Sequence, residues 1–393
     1  MSSQKPNHNK IALQFKDPPP EYGLYPNWWW EGSKIDKNVI NYLVKELKRI
    51  KSYGTMFYIR FHDNEPYSIN PPYGSPKYYE LMKHAINEHK KHGMVFYFSE
   101  WTGQNPIEKQ LNSNDLIGQR LKIYEKTSEK SELLSIKIPA QQKLLFSGAY
   151  KIISGKLEME SYTPITKSKS LSEIEWKAPG ENWILIAITS YSTGLDWVNK
   201  EVGTQWFNSV WVPYMEKMPE HIGNTFKGYI QDELDVLDEA ILFSPILLKS
   251  FKEIKGYNPI PYLIGLFHDI GDQTEKIRCD YYGILSNLLE KNVYKHLFDL
   301  HEQHNMIYAT VAIRGRQDML AETNHFGDLF KLMKWYHFPG NEDPQLDERI
   351  PLKRRFIDAK LSSSAAHIFN KERVSMCGYW GVGWGATLEE HVK

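Results

Sequence analysis

Apolar and polar positions fall into two rhythms along the chain. In residues 39–50, Val39, Leu43, Leu47 and Ile50 recur at three- and four-residue spacing, so one helical face is apolar and the helix is predicted to stop near Gly54. A short aromatic run, 24–30, precedes it, and 56–61 reads as a buried strand. Residues 75–92 predict a second helix, with Ser75 as N-cap and Pro76 at the first helical position; Gly93 closes it before the apolar strand 94–98. Strand, helix, strand, helix, strand at this pitch is the pattern of a parallel sheet with right-handed crossovers.

The rhythm changes near Thr127. Residues 134–138, 151–153 and 183–189 are short β-type runs separated by turn residues such as Gly155 and Pro179-Gly180, the mark of an inserted antiparallel β-domain. From Asp196 the α/β rhythm returns. Helices are expected over 199–218, 245–254 and 278–305, and strands over 226–230, 306–313, 332–338 and 373–379. The expected architecture is an α/β fold: a (β/α)8-type TIM barrel that lacks its last strand, carrying the β insertion. Its parts are a polar leader and Pro-rich entry over 1–20, a first barrel part over 21–126, the insertion over 127–195, and the barrel continuation over 196–393. With about seven barrel-type strands in place of eight, the sequence reads as truncated, with room for a further C-terminal segment or domain.

Composition narrows the partners. With 48 basic and 48 acidic residues, the chain has no broad field for a nucleic acid or an anionic membrane, and a neutral ligand fits better. Aromatics make up 13% of the 393 residues and fall in clusters, which favours the C–H faces of sugars as partners as well as ordinary core packing. Two cysteines, Cys279 and Cys377, support neither a disulfide framework nor a zinc site. No apolar run reaches the roughly 20 residues of a membrane span, and the polar start lacks a signal-peptide core. Localisation stays open between a secreted protein whose signal has been removed and a cytoplasmic one.

In a barrel the polar residues just after each strand are the ones placed for chemistry. Those ends carry Trp28-Trp29-Trp30-Glu31, Arg60-Phe61-His62-Asp63, Ser99-Glu100-Trp101-Thr102-Gly103, Gln231-Asp232-Glu233, Arg314, His337 to Asp343, and Cys377-Gly378-Tyr379-Trp380. Glycoside cleavage needs one carboxyl that donates a proton to the leaving oxygen and one that activates water or attacks. Glu233 is the first candidate acid, since an apolar strand ends abruptly at Asp232-Glu233 and like charges side by side raise the pKa of one of them. An acid pair opening a loop or helix is the plainer reading of the same residues. Glu342 and Glu100 are further candidates.

Trp28 and Trp30 are expected to form a sugar platform, with Trp29 on the other face by strand alternation. Trp101, Trp380 and Trp384 are further stacking candidates, and Arg60, His62, Arg314 and His337 are expected to bind substrate hydroxyls. His62, Asp63 and Glu65 form a loop cluster of the oxygen-rich kind that hard cations such as calcium prefer, without the fixed spacing of a known calcium loop. His84, His89 and His92 on one helix read as a surface face. No zinc-peptidase, phosphate-loop or nucleophile-elbow motif is present.

Several stretches in order resemble a known family. Phe15 to Tyr22 with Pro26 to Gly32, Ser75 to Leu81, Lys227 to Glu233, and Lys360 to His367 with Lys371 to Ser375 are similar to successive blocks of the α-L-rhamnosidases of glycoside hydrolase family one hundred and six. The resemblance covers nearly the whole chain from Phe15 onward. It implies an inverting hydrolase of terminal α-L-rhamnosyl groups, often calcium-dependent, with an acid at Glu233. Leu234 stands where the family has proline. At Cys377 this sequence has a thiol where relatives show a glutamate, and a thiol with a reference pKa of about 8.5 is a poor base for water. Two readings follow: a glycosidase in which Glu342 supplies the second carboxyl, or a sugar-binding homologue that has lost catalysis. A structural role in assembly is a third.

Overall fold

The computed structural model describes residues 8–30, 34–59, 69–99, 116–165, 173–232, 240–310, 327–342 and 352–377. Helix α1 (His8–Lys16) starts inside the stretch read as a polar leader. Strand β1 (Asn27–Trp30) follows, then α2 (Lys37–Arg49), β2 (Gly54–Ile59), α3 (Pro76–Lys91) and β3 (Val95–Ser99). Helices α2 and α3 each begin on a cap that supplies an acceptor to otherwise orphaned amides. Asp36 accepts from the Asn38 and Val39 amides at 2.8 and 3.1 Å, and Ser75 accepts from Tyr78 at 3.2 Å.

The next six strands are β4 (Ile117–Thr127), β5 (Leu133–Lys137), β6 (Lys143–Ile153), β7 (Lys156–Pro164), β8 (Glu173–Lys177) and β9 (Trp183–Leu195). They form the expected antiparallel insertion, with longer strands than the sequence suggested and a start ahead of Thr127. Strands β4, β9, β6 and β7 make one sheet; β5 and β8 pair across its face. Leu134, Ile136, Ile138 and Ile174 fill the gap against Leu185 and Ala187 of β9. The other face of β9, Ile184, Ile186 and Ile188, joins the main core, so this strand is buried on both sides.

The α/β part resumes with α4 (Lys200–Lys217), β10 (Phe226–Gln231), the two-residue β11 (Leu242–Phe243), α5 (Pro245–Lys255), α6 (Gln273–Leu289), α7 (Lys295–Glu302) and β12 (Ile307–Thr310). Strands β1, β2, β3, β10 and β12 lie in that order, all parallel. Gly228 is required where β10 meets β12: its φ is 143°, and a Cβ there would stand 2.1 Å from the Ile307 carbonyl oxygen.

Residues 332–338, expected as a strand, are not one. Leu329, Leu332, Met333 and Tyr336 are buried at helical spacing, and Asp328 caps the short helix α8 (Leu329–Met333) by accepting from the Lys331 amide. The strand comes later, as β13 (Gly340–Glu342), and pairs in parallel with β14 (Ser375–Cys377) after helix α9 (Leu352–Ile368). β13 runs beside β12: the His337 amide donates to Tyr308 O at 2.8 Å, and a Cβ on Gly340 would collide with Thr310 O. The described residues give a five-stranded parallel sheet and a two-stranded parallel one beside it, where a (β/α)8-type barrel lacking its last strand was the expectation.

At the amino ends of these strands the two flanks meet. Arg373, just ahead of β14, donates to the Glu21 carbonyl at 3.0 Å and lies over the Phe338 ring at 4.7 Å. Tyr25, Tyr53 and Tyr97 pack around it, and burial pushes the Tyr97 hydroxyl up to about 12. The row of parallel strands thus curls back towards its own beginning.

The two faces of the parallel sheet differ. Outward, Trp28, Trp30, Phe57, Phe96, Phe98, Tyr229 and Tyr308 pack against the helices. Inward, Met56, Tyr58, Val95, Tyr97, Ile230, Ala309 and Phe338 form a separate, smaller cluster with Trp29 at its edge. His89 belongs to the outward layer. It is 0% exposed, its Nδ1–H donates to Ala85 O and its Nε2 meets the Thr55 hydroxyl at 2.9 Å, which corrects its placement on a surface face.

Candidate functional site

The inward face ends, at the carboxyl side of the strands, on an acid. Strand alternation puts Tyr229 outward and Ile230 inward, so Gln231 turns outward and Asp232 inward. Asp232 is half-buried, and the Tyr58 hydroxyl donates to its Oδ2 at 3.1 Å. Tyr58 in turn is stacked on Trp29, with ring centroids 4.2 Å apart at 24°. Trp29 and Tyr58 are register partners across β1 and β2, and Tyr58 and Ser99 across β2 and β3. An aromatic plate, a phenol and a carboxylate therefore line one stretch of the rim.

The strand beneath Asp232 is held firmly. The Gln231 side-chain oxygen accepts from both the Tyr308 and Tyr336 hydroxyls, at 2.8 and 3.1 Å. Backbone carbonyls are used too: Ser99 Oγ donates to Ile230 O at 2.6 Å, and Thr310 Oγ1 to Gln231 O at 3.1 Å. All four donors are buried. A group mounted on such a strand loses little of its orientation to motion, as reacting groups require.

Asp232 apart, the expected residues fall into three sets. Glu233, Arg60, His62, Asp63, Glu65, Glu100, Trp101, Arg314, Trp380 and Trp384 lie outside the described residues. Glu342 and Cys377 are the last residues of β13 and β14 and are register partners, so the backbone brings those two positions side by side at the carboxyl ends. Trp28, Trp30 and His337 are placed away from the Asp232 rim.

Trp28 and Trp30 are 8% and 1% exposed and pack edge-on against each other, on the face turned to the helices. The sugar-platform expectation for them is corrected: the alternation was read rightly, but it is Trp29 that shares a face with the acid. His337 is corrected for a different reason. The strand begins after it, so it lies at the amino ends, where its Nδ1 accepts from the Tyr308 amide at 3.0 Å and its Nε2–H donates to Glu302 Oε1 at 2.6 Å.

Tyr58 is the functional candidate that the sequence reading passed over. Its run, Met56-Phe57-Tyr58-Ile59, looks uniformly apolar, and only the knowledge of which face is inward separates Tyr58 from Phe57. Among the described residues no cluster of three or more His, Cys, Asp or Glu side chains is placed to hold a metal ion. Among the same residues, no helix is long and apolar enough to cross a membrane.

No protein-family model matches the chain. A protein of Formosa agariphila named for a β-glucuronidase activity is 19% identical over 438 residues, covering 96% of this chain and 36% of the relative. Among solved structures, the rhamnosidase of Novosphingobium sp. PP1Y superposes with a TM-score of 0.65 at 13% identity, covering 93% of this chain and 52% of that one. An isomaltulose synthase of Klebsiella sp. LX3 covers 89% of this chain at 11% identity with a TM-score of 0.33, too low to argue from. The chain spans about half the length of the rhamnosidase and about a third of the curated relative. What is shared at these identities is a fold, a mixed α/β architecture.

Proposed function

We propose that the chain forms the barrel part of a glycoside hydrolase that removes terminal α-L-rhamnosyl or similar deoxysugar groups from glycans or glycosides. The observation that carries this reading is the inward-facing Asp232, held by Tyr58 beside the Trp29 ring at the carboxyl ends of the strands. Sugars offer one apolar face and several hydroxyls, and a ring beside a carboxylate suits both. Glu233 is the proposed general acid and Asp232 the neighbour that helps it keep its proton. Glu342 is the proposed base.

Inverting glycosidases separate their two carboxyl groups by about 6.5 to 9.5 Å, which leaves room for the attacking water, and β13, which ends at Glu342, runs beside β12, the neighbour of β10. Calcium, if the enzyme uses it, would be taken by the oxygen-rich loop of His62, Asp63 and Glu65. One observation favours a second reading, a sugar-binding homologue without turnover: the chain has Cys377 where the rhamnosidase resemblance places a carboxylate.

The test is release of the aryl group from a panel of aryl glycosides, α-L-rhamnoside and β-D-glucuronide included. Turnover of the rhamnoside, with a loss of about a hundredfold or more in Glu233→Gln, is the expected result. Equal rates for the two proteins would remove Glu233 from the mechanism, and binding without turnover would favour the second reading.

A further inference from the structure

A carboxamide is out of place in the outward layer of the sheet. Phe57, Phe98, Tyr229 and Tyr308 fill that face, and Gln231 shares it at 2% exposure. An apolar side chain would be the ordinary filler, because a buried amide costs free energy unless its polar atoms are bonded. The oxygen of Gln231 can accept two hydrogen bonds, and it takes both from phenols on different elements. Tyr308 lies on β12, the strand next to β10, and donates at 2.8 Å; Tyr336 lies in the turn between α8 and β13 and donates at 3.1 Å. Both phenols are buried, and their ring centroids are 4.9 Å apart.

Tyr336 reaches over β12 to make its bond, from a segment whose next contacts are with β12 itself. The His337 amide donates to Tyr308 O at 2.8 Å, and the Tyr308 amide donates to His337 Nδ1 at 3.0 Å. Gly340 then opens β13 with no room for a Cβ against Thr310 O. One carboxamide therefore joins the strand that leads to Asp232, its neighbour β12, and the lead into the strand that ends at Glu342. The three side chains lie behind the rim, on the face turned to the helices, where a substrate at Asp232 does not reach.

Such a set is a poor way to gain stability. Apolar side chains of the same shape would fill the layer at little cost or with a small gain. What buried polar contacts add is one arrangement in place of several. We propose that Gln231, Tyr308 and Tyr336 are positioning residues, a clamp that fixes the carboxyl end of β10 relative to β13 and so holds Asp232 and the Glu342 strand in one geometry. The inference rests on the glycosidase reading of the rim. Loss of the clamp lets the two strand ends shift, and a shift on the order of 1 Å costs turnover more than binding.

The experiment makes the clamp apolar, combining Gln231→Met with Tyr308→Phe and Tyr336→Phe, and measures kcat, KM and melting temperature with whichever aryl glycoside the wild type cleaves. No clamp phenol or amide is left unpaired in this variant, so its melting temperature should stay close to that of the wild type. Its kcat is expected to fall about tenfold, with KM changed less than about twofold. Wild-type kcat in the triple variant, or a kcat that falls only as far as the fold is lost, would overturn the clamp. If the triple variant does not fold, Tyr336→Phe decides: a severalfold lower kcat at constant KM supports the clamp, and an unchanged kcat overturns it. Should the wild type cleave no glycoside, the glycosidase reading falls by itself. Amide exchange then tests the clamp, with Tyr336→Phe expected to speed exchange at Gln231 and His337 together, and unchanged rates at both overturning it.

Discussion

The two faces of the parallel sheet are built from the same residue types and do opposite things. On the outward face Trp28, Trp30, Phe57, Phe96, Tyr229 and Tyr308 are sealed under helices, and the Tyr308 hydroxyl donates to the Gln231 side chain within that layer. On the inward face Trp29 and Tyr58 stack on each other and lead up to a half-buried carboxylate. An indole faces the helices or the inward side according to the parity of its position in a strand. Aromatic clustering alone therefore carries little functional information, and the acid it accompanies carries most.

The largest effect that separates the faces is on stability. Trp30→Ala removes a fully buried ring and should cost about 3–5 kcal/mol in urea unfolding. Trp29→Ala, at the half-buried edge, should cost less than half as much and show itself as a raised KM for the sugar substrate. Equal destabilisation with no change in KM at Trp29 would erase the distinction between the faces.

A smaller effect is the acid sensitivity of the outward layer. His301 Nδ1–H donates to Leu297 O at 2.7 Å, and its Nε2 accepts from the Trp211 indole at 3.1 Å, so only the neutral ring fits. Burial lowers its pKa to about 3, and that of His89 to about 4. Both are depressed bases, so the sign is fixed. Above the unfolded value of about 6.5 neither state binds the proton. Below it the unfolded chain does and the folded one does not, so stability falls as pH drops. Each ring contributes up to about 1.4 kcal/mol per pH unit. Urea midpoints from about pH 7 to about pH 4.5 should show that slope, and His301→Phe should flatten it; an unchanged slope would place the sensitivity elsewhere.

Much of this architecture was legible from periodicity. The helices at 37–49 and 76–91 and the strand between them follow from apolar spacing and from a cap such as Ser75. What was not legible depends on tertiary context. Leu332 to Phe338 has an apolar content that suits strand or helix, and only the burial of Leu329, Leu332, Met333 and Tyr336 together decides for the helix. That decision moved His337 from the rim to the base. Alternation said that Trp29 faces away from Trp28 and Trp30, but with three identical side chains nothing in the sequence said which side held the helices. His89 looked like a surface residue beside His84 and His92, and its burial depends on Thr55 and Trp28 from other elements. The acids at the end of β10 were found because an apolar strand stops on them, although the parity of Asp232 needed the fold.

The proposed function requires Asp232 to be part of a reacting site and not a structural acid. Steady-state cleavage of an aryl α-L-rhamnoside by the wild type and by Asp232→Asn, with the melting temperature of both recorded, tests this most directly. The expected result is a kcat lower by about a hundredfold or more in the variant, with an unchanged melting temperature. A variant that turns over at the wild-type rate, or one that loses activity only as far as it loses its fold, would contradict the claim.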